Sequence, residues 1–312
     1  ISPDGTEIAL VADTDKLGTA PNYDLITIAS CGCKPARNLT EDNPGNDRSP
    51  AYSPDGQWLG YTAQSIPGFY ADRARLLLID RAGGTTRDLS GSFDRSVGGL
   101  LWRADSKAIF SAIDDAATNR IYRFDLAAPG KPRAITTTPS FSGLAIARDA
   151  GARSAAVALR QSFSEPPTLV RLGLTDGVAT RLTDFNDAAL EGVPLGKVES
   201  VTYAGSGGAP IQMWVVHPPD FDPAKRYPVF MLLHGGPHNG IQDAVQWRWN
   251  AQVFASWGYI VTWHNFHGSS GFGQAFTDSI NPDRITQPYE DTIAAAQWLA
   301  ARPYVDASRM VA

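Results

Sequence analysis

Two glycine-bearing segments carry the residue types that acyl-transfer chemistry uses. The first, His234-Gly235-Gly236-Pro237-His238, follows Pro228 to Leu233, an almost unbroken apolar run of the kind that forms a strand buried on both faces. A Gly-Gly step leaving such a strand lets main-chain N–H groups approach a ligand with no Cβ in the way. Amides so presented stabilise a developing oxyanion, and removing one such donor costs about 3 kcal/mol of transition-state stabilisation. The competing reading is a tight turn between strand and loop. The second segment, Asn265-Phe266-His267-Gly268-Ser269-Ser270-Gly271-Phe272-Gly273, leaves another buried run, Tyr259 to Trp263.

An oxyanion site serves a nucleophile, a base and an acid that orients the base. The sequence has no Gly-x-Ser-x-Gly elbow: Gly268-Ser269-Ser270-Gly271 has the wrong spacing, and Gly205-Ser206-Gly207-Gly208 sits in a polar turn. The sequence holds five histidines, His217, His234, His238, His264 and His267. A histidine beside a glycine loop more often bonds backbone, and His234 and His238 are read that way. Cys31 and Cys33, separated by Gly32, are read as turn residues rather than a bridge, and no second cysteine pair or nearby histidine makes them a metal site.

The positioning elements come in two kinds. Ser2-Pro3-Asp4-Gly5 returns as Ser53-Pro54-Asp55-Gly56, in degraded form as Arg103-Ala104-Asp105-Ser106 and faintly as Arg148-Asp149-Ala150-Gly151, a period of about 50 residues. Asn38-Leu39-Thr40, Asp88-Leu89-Ser90, Ala134-Ile135-Thr136 and Arg181-Leu182-Thr183 keep the same phase. Within a unit, runs such as Arg75 to Asp80 alternate with period two and end in turns, so each unit is a set of short antiparallel strands. Units of this length built of hairpins predict a partial all-β propeller of about four blades over residues 1–189, in preference to a β-sandwich. One aspartate per turn lacks the oxygens a calcium site needs, so these aspartates are read as turn formers.

Over residues 190–312 the character changes. Strands are expected at Ser200 to Tyr203, Gln212 to His217, Pro228 to Leu233 and Tyr259 to Trp263. Helices are expected at Gln246 to Trp257 and Glu290 to Ala301, the latter with Ile293, Ala294, Gln297 and Trp298 at core-compatible spacing. Ser308 to Ala312 reads as the opening of a further apolar strand. This order predicts the N-terminal part of an α/β-hydrolase domain, where the loop after the third strand gives one oxyanion donor. With 43% hydrophobic and 19% charged residues the chain is globular, and a net charge of −5 with no basic run argues against nucleic acid. No apolar run approaches the length of a membrane helix, so no membrane partner is expected. The chain is read as a fragment, from its start in mid-repeat and its end in mid-strand.

With its repeat, its His-Gly-Gly-Pro loop and its Asn265 to Gly273 segment in this order, the chain resembles the prolyl oligopeptidase family of serine peptidases, in particular its acylaminoacyl-peptidase and dipeptidyl-peptidase branches. The resemblance implies a serine peptidase acting on oligopeptides, with Gly235 and Gly236 as the oxyanion loop and no metal or organic cofactor. Which glycine donates stays open. It also implies that the Ser, Asp and His of the triad lie beyond Ala312, so that this fragment is inactive while its parent hydrolyses peptides. Trp247-Arg248-Trp249-Asn250 resembles the family's aromatic segment and is read first as packing, with Arg248 and Trp249 as candidate substrate contacts in the alternative. Glu290 and Asp291 match the entry into the helix before the nucleophile strand, where they suit its dipole and are not read as catalytic. Two departures stand out: His267 occupies the family's usual Arg position, and Arg284-Ile285-Thr286 replaces a stretch commonly rich in Trp and Gly. The alternatives are an esterase on the same fold and a non-catalytic propeller interaction protein. The family occurs in bacterial periplasms and in the cytoplasm, and the reading leans to the former.

Overall fold

Where the sequence repeats, the chain folds into four successive antiparallel sheets. In the computed structural model, which describes residues 1–16, 18–147 and 155–312, the first sheet has strands Glu7–Asp13, Tyr23–Ala29 and Arg37–Asn38. The second has Asp47–Tyr52, Trp58–Ala63, Arg75–Asp80 and Thr86–Asp88. Leu101–Trp102, Ala108–Asp115, Thr118–Asp125 and Arg133–Ala134 make the third, and Ser140–Ile146, Ala155–Ser162, Glu165–Gly173 and Ala179–Arg181 the fourth. In every sheet the strands pair in chain order.

Both repeat markers have a physical cause. In the first turn Ser2 Oγ donates to Asp4 Oδ1 at 2.5 Å and accepts from Glu7 N at 3.0 Å. Ser53 and Asp55 repeat this at 2.5 Å, with Trp58 N on Ser53 Oγ at 2.9 Å. The aspartates are therefore turn formers. Gly5 and Gly56 close these turns in the left-handed region at φ 70° and 72°, and Ser106 takes the same place at φ 59°. The second marker supplies a hydroxyl where the outer ladder ends. Thr40 Oγ1 accepts from Leu25 N at 3.0 Å, Ser90 Oγ from Leu76 N at 3.1 Å, Thr136 Oγ1 from Ile121 N at 2.9 Å and Thr183 Oγ1 from Leu169 N at 3.2 Å. Each satisfies a strand amide that a short edge strand would leave unpaired. The faint repeat at Arg148 to Gly151 lies outside the described residues.

One expectation fails in the first sheet. Cys31 and Cys33 form a disulfide. Gly32, at φ 62°, turns the chain so that the two Cα atoms are 5.2 Å apart, within ordinary bridging range despite the single intervening residue.

The rest of the chain builds one mixed five-stranded sheet from β1 (Val198–Ala204), β2 (Pro210–Val216), β3 (Tyr227–Leu232), β4 (Ile260–Asn265) and β5 (Val305–Val311), in the order β1-β2-β4-β3-β5. β1, β2 and β4 pair antiparallel, whereas β4, β3 and β5 are mutually parallel. Alternate residues face opposite sides, as period two requires. Met213, Val215, Val229, Met231 and Ile260 pack toward Ala295 and Leu299 of α3 (Thr286–Ala300). Trp214, Val216, Leu232, Val261 and Trp263 pack toward Ala251 and Ala255 of α1 (Ala251–Ser256), together with Ala117 and Phe163 from turns of the third and fourth sheets. A third, short helix, α2 (Gln274–Asp278), follows the loop after β4.

Both long-helix expectations need correction. α1 begins at Ala251 rather than Gln246, because the Asn250 side chain accepts from Gln252 N and Val253 N and so caps the first turn there. α3 begins at Thr286, with Pro288 tolerated in a first turn whose amides have no intrahelical partners. Its buried stripe is Asp291, Ala295 and Leu299, while Ile293 and Gln297 face solvent. No helix of the described residues is long and apolar enough to cross a membrane.

Candidate active site

Both glycine segments leave the carboxyl ends of neighbouring parallel strands, β3 and β4. Gly235 and Gly236 are exposed, and among the described residues neither N–H donates to a protein acceptor. A Cβ built on Gly235 would meet nothing within 4 Å. On Gly236, at φ 138°, it would lie 2.9 Å from Asn239 Nδ2. The loop is held instead through its carbonyls. Gly235 O accepts from Asn239 Nδ2 at 3.0 Å, and Gly236 O accepts from Tyr70 Oη at 3.2 Å.

The flanking histidines tie this loop to the next. Ser269 Oγ donates to Phe266 O at 2.6 Å and lies 3.0 Å from His234 Nε2, while His234 Nδ1 lies 3.1 Å from Gly235 O. The His234 ring stacks on Phe266 with centroids 4.0 Å apart, and burial pulls its pKa below the usual histidine range. His238 Nδ1–H donates to Gly268 O at 3.1 Å, and its ring meets the edges of Phe69 and Tyr70 at 5.4 and 5.5 Å. Both histidines are spent on holding loops, with His238 on backbone as expected. Ser269 is fully buried and its hydroxyl is committed. Beneath them His264 Nε2–H donates to Thr292 Oγ1 at 3.1 Å, since that hydroxyl gives its own proton to Pro288 O at 2.8 Å. Burial lowers the His264 pKa to about 3, with the neighbouring His234 adding to the effect.

The second segment is built for contact. Its Gly268 backs onto Ile280, whose Cδ1 would lie 2.3 Å from an added Cβ, and on Gly273 a Cβ would lie 2.6 Å from Asp94 Oδ2. Gln274 N donates to Asp94 Oδ1 at 2.8 Å, and Ala116 N to Gly271 O at 2.9 Å. These glycines let turns of the second and third sheets close onto the mixed sheet. Phe163 N on Asp243 Oδ1, at 2.8 Å, adds the fourth sheet. Between these contacts lies a cavity of about 370 Å³ walled by Tyr70, Asp72, Asp94, Asp114, His238 and Ser270. Burial pushes the Asp114 carboxyl above its ordinary pKa, partly offset by hydrogen bonds from Asn119, Ser270 and Gln242.

Asp291 has a larger part than dipole complement. It is 0% exposed and accepts from His267 N and His267 Nδ1, both at 2.7 Å, and from Ser206 N at 2.8 Å. One carboxylate thus joins α3, the loop after β4 and the β1–β2 turn, and His267 supplies the donor at the position where Arg was expected. The signal was its i, i+4, i+8 spacing with Ala295 and Leu299. Arg248 and Trp249 are exposed just before α1, with the guanidinium 5.8 Å from the Trp249 ring centroid, and neither lines the cavity beside Gly236. Sequence reasoning passed over Asn239 and Tyr70; Tyr70 is far from the loop in sequence and had no spacing signal. No group of three or more His, Cys, Asp or Glu side chains suited to a metal occurs among the described residues.

Known proteins resemble the chain in sequence and in fold. Residues 245–312 match the family described as "Prolyl oligopeptidase family". The chain is 33% identical to dipeptidyl-peptidase 5 of Porphyromonas gingivalis over 99% of its own length and 45% of that protein's. To the probable dipeptidyl-peptidase 5 of Aspergillus terreus it is 29% identical over 100% of its length and 45% of the relative's. The chain therefore spans a little under half the length of these relatives. Among solved structures, the acylaminoacyl peptidase of Pyrococcus horikoshii superposes with a TM-score of 0.79 at 17% identity, covering 98% of this chain and 46% of that one. An acylaminoacyl peptidase bound to Z-Gly-Gly-Phe-chloromethyl ketone gives 0.80 at 17% identity, with 98% and 46% coverage. At that identity the likeness speaks for the fold.

Proposed function

We propose that the chain, whose residues 245–312 match the prolyl oligopeptidase family, forms the oxyanion side of a serine peptidase acting on short peptides, of the dipeptidyl- or acylaminoacyl-peptidase kind. In this reading the four successive sheets are blades of a propeller occupying residues 1–189, and residues 190–312 are the first part of an α/β-hydrolase domain. The triad serine, aspartate and histidine come from sequence outside these 312 residues. The relatives named above as dipeptidyl-peptidases, and the fold neighbour solved with a peptide chloromethyl ketone, support a peptide substrate.

One observation carries the reading: an exposed glycine pair at the carboxyl end of β3 whose amides have no acceptor among the described residues. When a serine hydroxyl attacks the scissile carbonyl, charge moves onto the carbonyl oxygen, and a fixed N–H waiting there stabilises it without reorganising. The histidine takes the serine proton and returns it to the leaving amine. Arg248 and Trp249, exposed ahead of α1, are the proposed further substrate contacts.

The test is hydrolysis of dipeptidyl and acylaminoacyl p-nitroanilides against simple esters by the whole protein, with Gly236→Ala beside it. The wild type is expected to cleave the anilides. Gly236→Ala places a Cβ at φ 138°, 2.9 Å from Asn239 Nδ2, and is expected to lower kcat about 10²-fold, as loss of an oxyanion donor does. Ester cleavage without anilide cleavage, or full kcat in the variant, would overturn the reading.

A further inference from the structure

We propose that Asn239 is the positioning residue of the oxyanion donor and that Tyr70 pins the adjoining peptide, so that the second β-sheet helps set the geometry of the reaction centre. The inference rests on the oxyanion reading above and assigns the donor to Gly236. A trans peptide is planar, so the N–H of Gly236 points opposite to the carbonyl of Gly235 in one rigid unit. Whatever holds Gly235 O aims Gly236 N–H. Two groups reach that oxygen: Asn239 Nδ2 at 3.0 Å and His234 Nδ1 at 3.1 Å. The Asn239 amide nitrogen can only donate there, whichever ring nitrogen of His234 carries the proton, so Asn239 holds the carbonyl in either tautomer.

Asn239 is itself anchored, its backbone carbonyl accepting from Ser270 N at 3.3 Å in the second glycine loop. The following peptide plane is held by Tyr70 Oη on Gly236 O at 3.2 Å. Tyr70 lies in the connection between Trp58–Ala63 and Arg75–Asp80, and its ring rests on His238. Two consecutive carbonyls are thereby fixed by side chains from opposite sides of the sheet interface, and the amide between them is left free. A loop meant only as a turn has no reason to hold its carbonyls through side chains while exposing its amide.

The experiment compares two inhibitors of the whole protein. A peptidyl aldehyde takes up the serine oxygen at its carbonyl carbon, forming a C–O bond as the serine proton passes to the histidine and the displaced π electrons go to the carbonyl oxygen that the hole must bind. The matching peptide acid, a product, makes no such adduct. In Asn239→Ala, and in the isosteric Asn239→Asp that cannot donate, aldehyde Ki is expected to rise at least tenfold with acid Ki within twofold, and kcat to fall with KM nearly unchanged. Tyr70→Phe is expected to raise aldehyde Ki about threefold. Wild-type aldehyde affinity in both Asn239 variants would overturn the assignment while leaving the oxyanion reading intact. If wild type shows no preference for aldehyde over acid, the oxyanion reading itself fails, and this inference with it. An unchanged Tyr70→Phe would remove Tyr70 from the proposal.

Discussion

The loops after β3 and β4 start from adjacent parallel strands, carry glycines at similar density and look alike in sequence, yet they are physically opposite. After β3 the glycines are exposed, their amides have no protein acceptor among the described residues, and a methyl group on Gly235 would meet nothing within 4 Å. After β4 the amides of Gly268, Ser269 and Ser270 donate to the Phe276, Phe266 and Asn239 carbonyls respectively, and added methyl groups would strike Ile280 or Asp94. One loop leaves its glycine backbone exposed, which in the proposed reading presents it to a ligand. The other uses glycine to let two parts of the protein approach. Glycine marks backbone that must be approached closely, and only the neighbours tell which kind of approach it is.

Substitutions can break that contrast. The largest effect is expected at Gly268→Ala, which puts a Cβ at φ 93° and 2.3 Å from Ile280 Cδ1. Strain and overpacking together should cost about 3 kcal/mol, read as a lower urea midpoint at unchanged m-value. A loss below about 1 kcal/mol would mean that the second loop is as open as the first.

Next comes pH, through the buried histidines beneath both loops. The folded pKa of His264 is depressed to about 3. The stability this reflects is therefore present above the unfolded value near 6.5 and drains away as pH falls from there toward 3. Between pH 7 and pH 5 the chain should lose about 2 kcal/mol, by the linkage relation. Most of that loss should vanish in His264→Gln, measured by denaturation at both pH values. A wild type equally stable at pH 5 and pH 7 would show that the imidazole is hydrated and the shared base of the loops is not dry.

The smallest effect sharpens the contrast from the other side. Gly235→Ala keeps its N–H, meets nothing within 4 Å and has no positive φ, so its stability should stay within about 0.5 kcal/mol of wild type. A melting temperature clearly below wild type would place unseen packing against the first loop.

Much of this was legible in residue order. The repeat turns and their Ser/Thr markers act through bonds that are mostly local or one strand away, so their spacing exposes them directly. The strands of the mixed sheet are readable because burial on both faces demands continuous apolar runs, as in β3. Helix limits were less so, since Asn250 decides the start of α1 through one side-chain cap. The face of α3 was misjudged because Asp291, read only as a complement to the helix dipole, is buried. For the candidate site, Gly235 and Gly236 followed from motif and strand, whereas Asn239 and Tyr70 did not.

Sequence alone determined what local chemistry can encode: the turn at each repeat, the alternation of each strand, and a glycine pair at the end of an apolar run. Tertiary structure decided the rest. The Cys31–Cys33 bridge depends on the turn at Gly32, the His267–Asp291 bond on α3 meeting the loop after β4, and the hold on Gly236 on a tyrosine from a different sheet. Contacts between residues far apart in the chain leave no periodic trace, because they are selected by the packing of finished elements rather than by the propensity of any one of them.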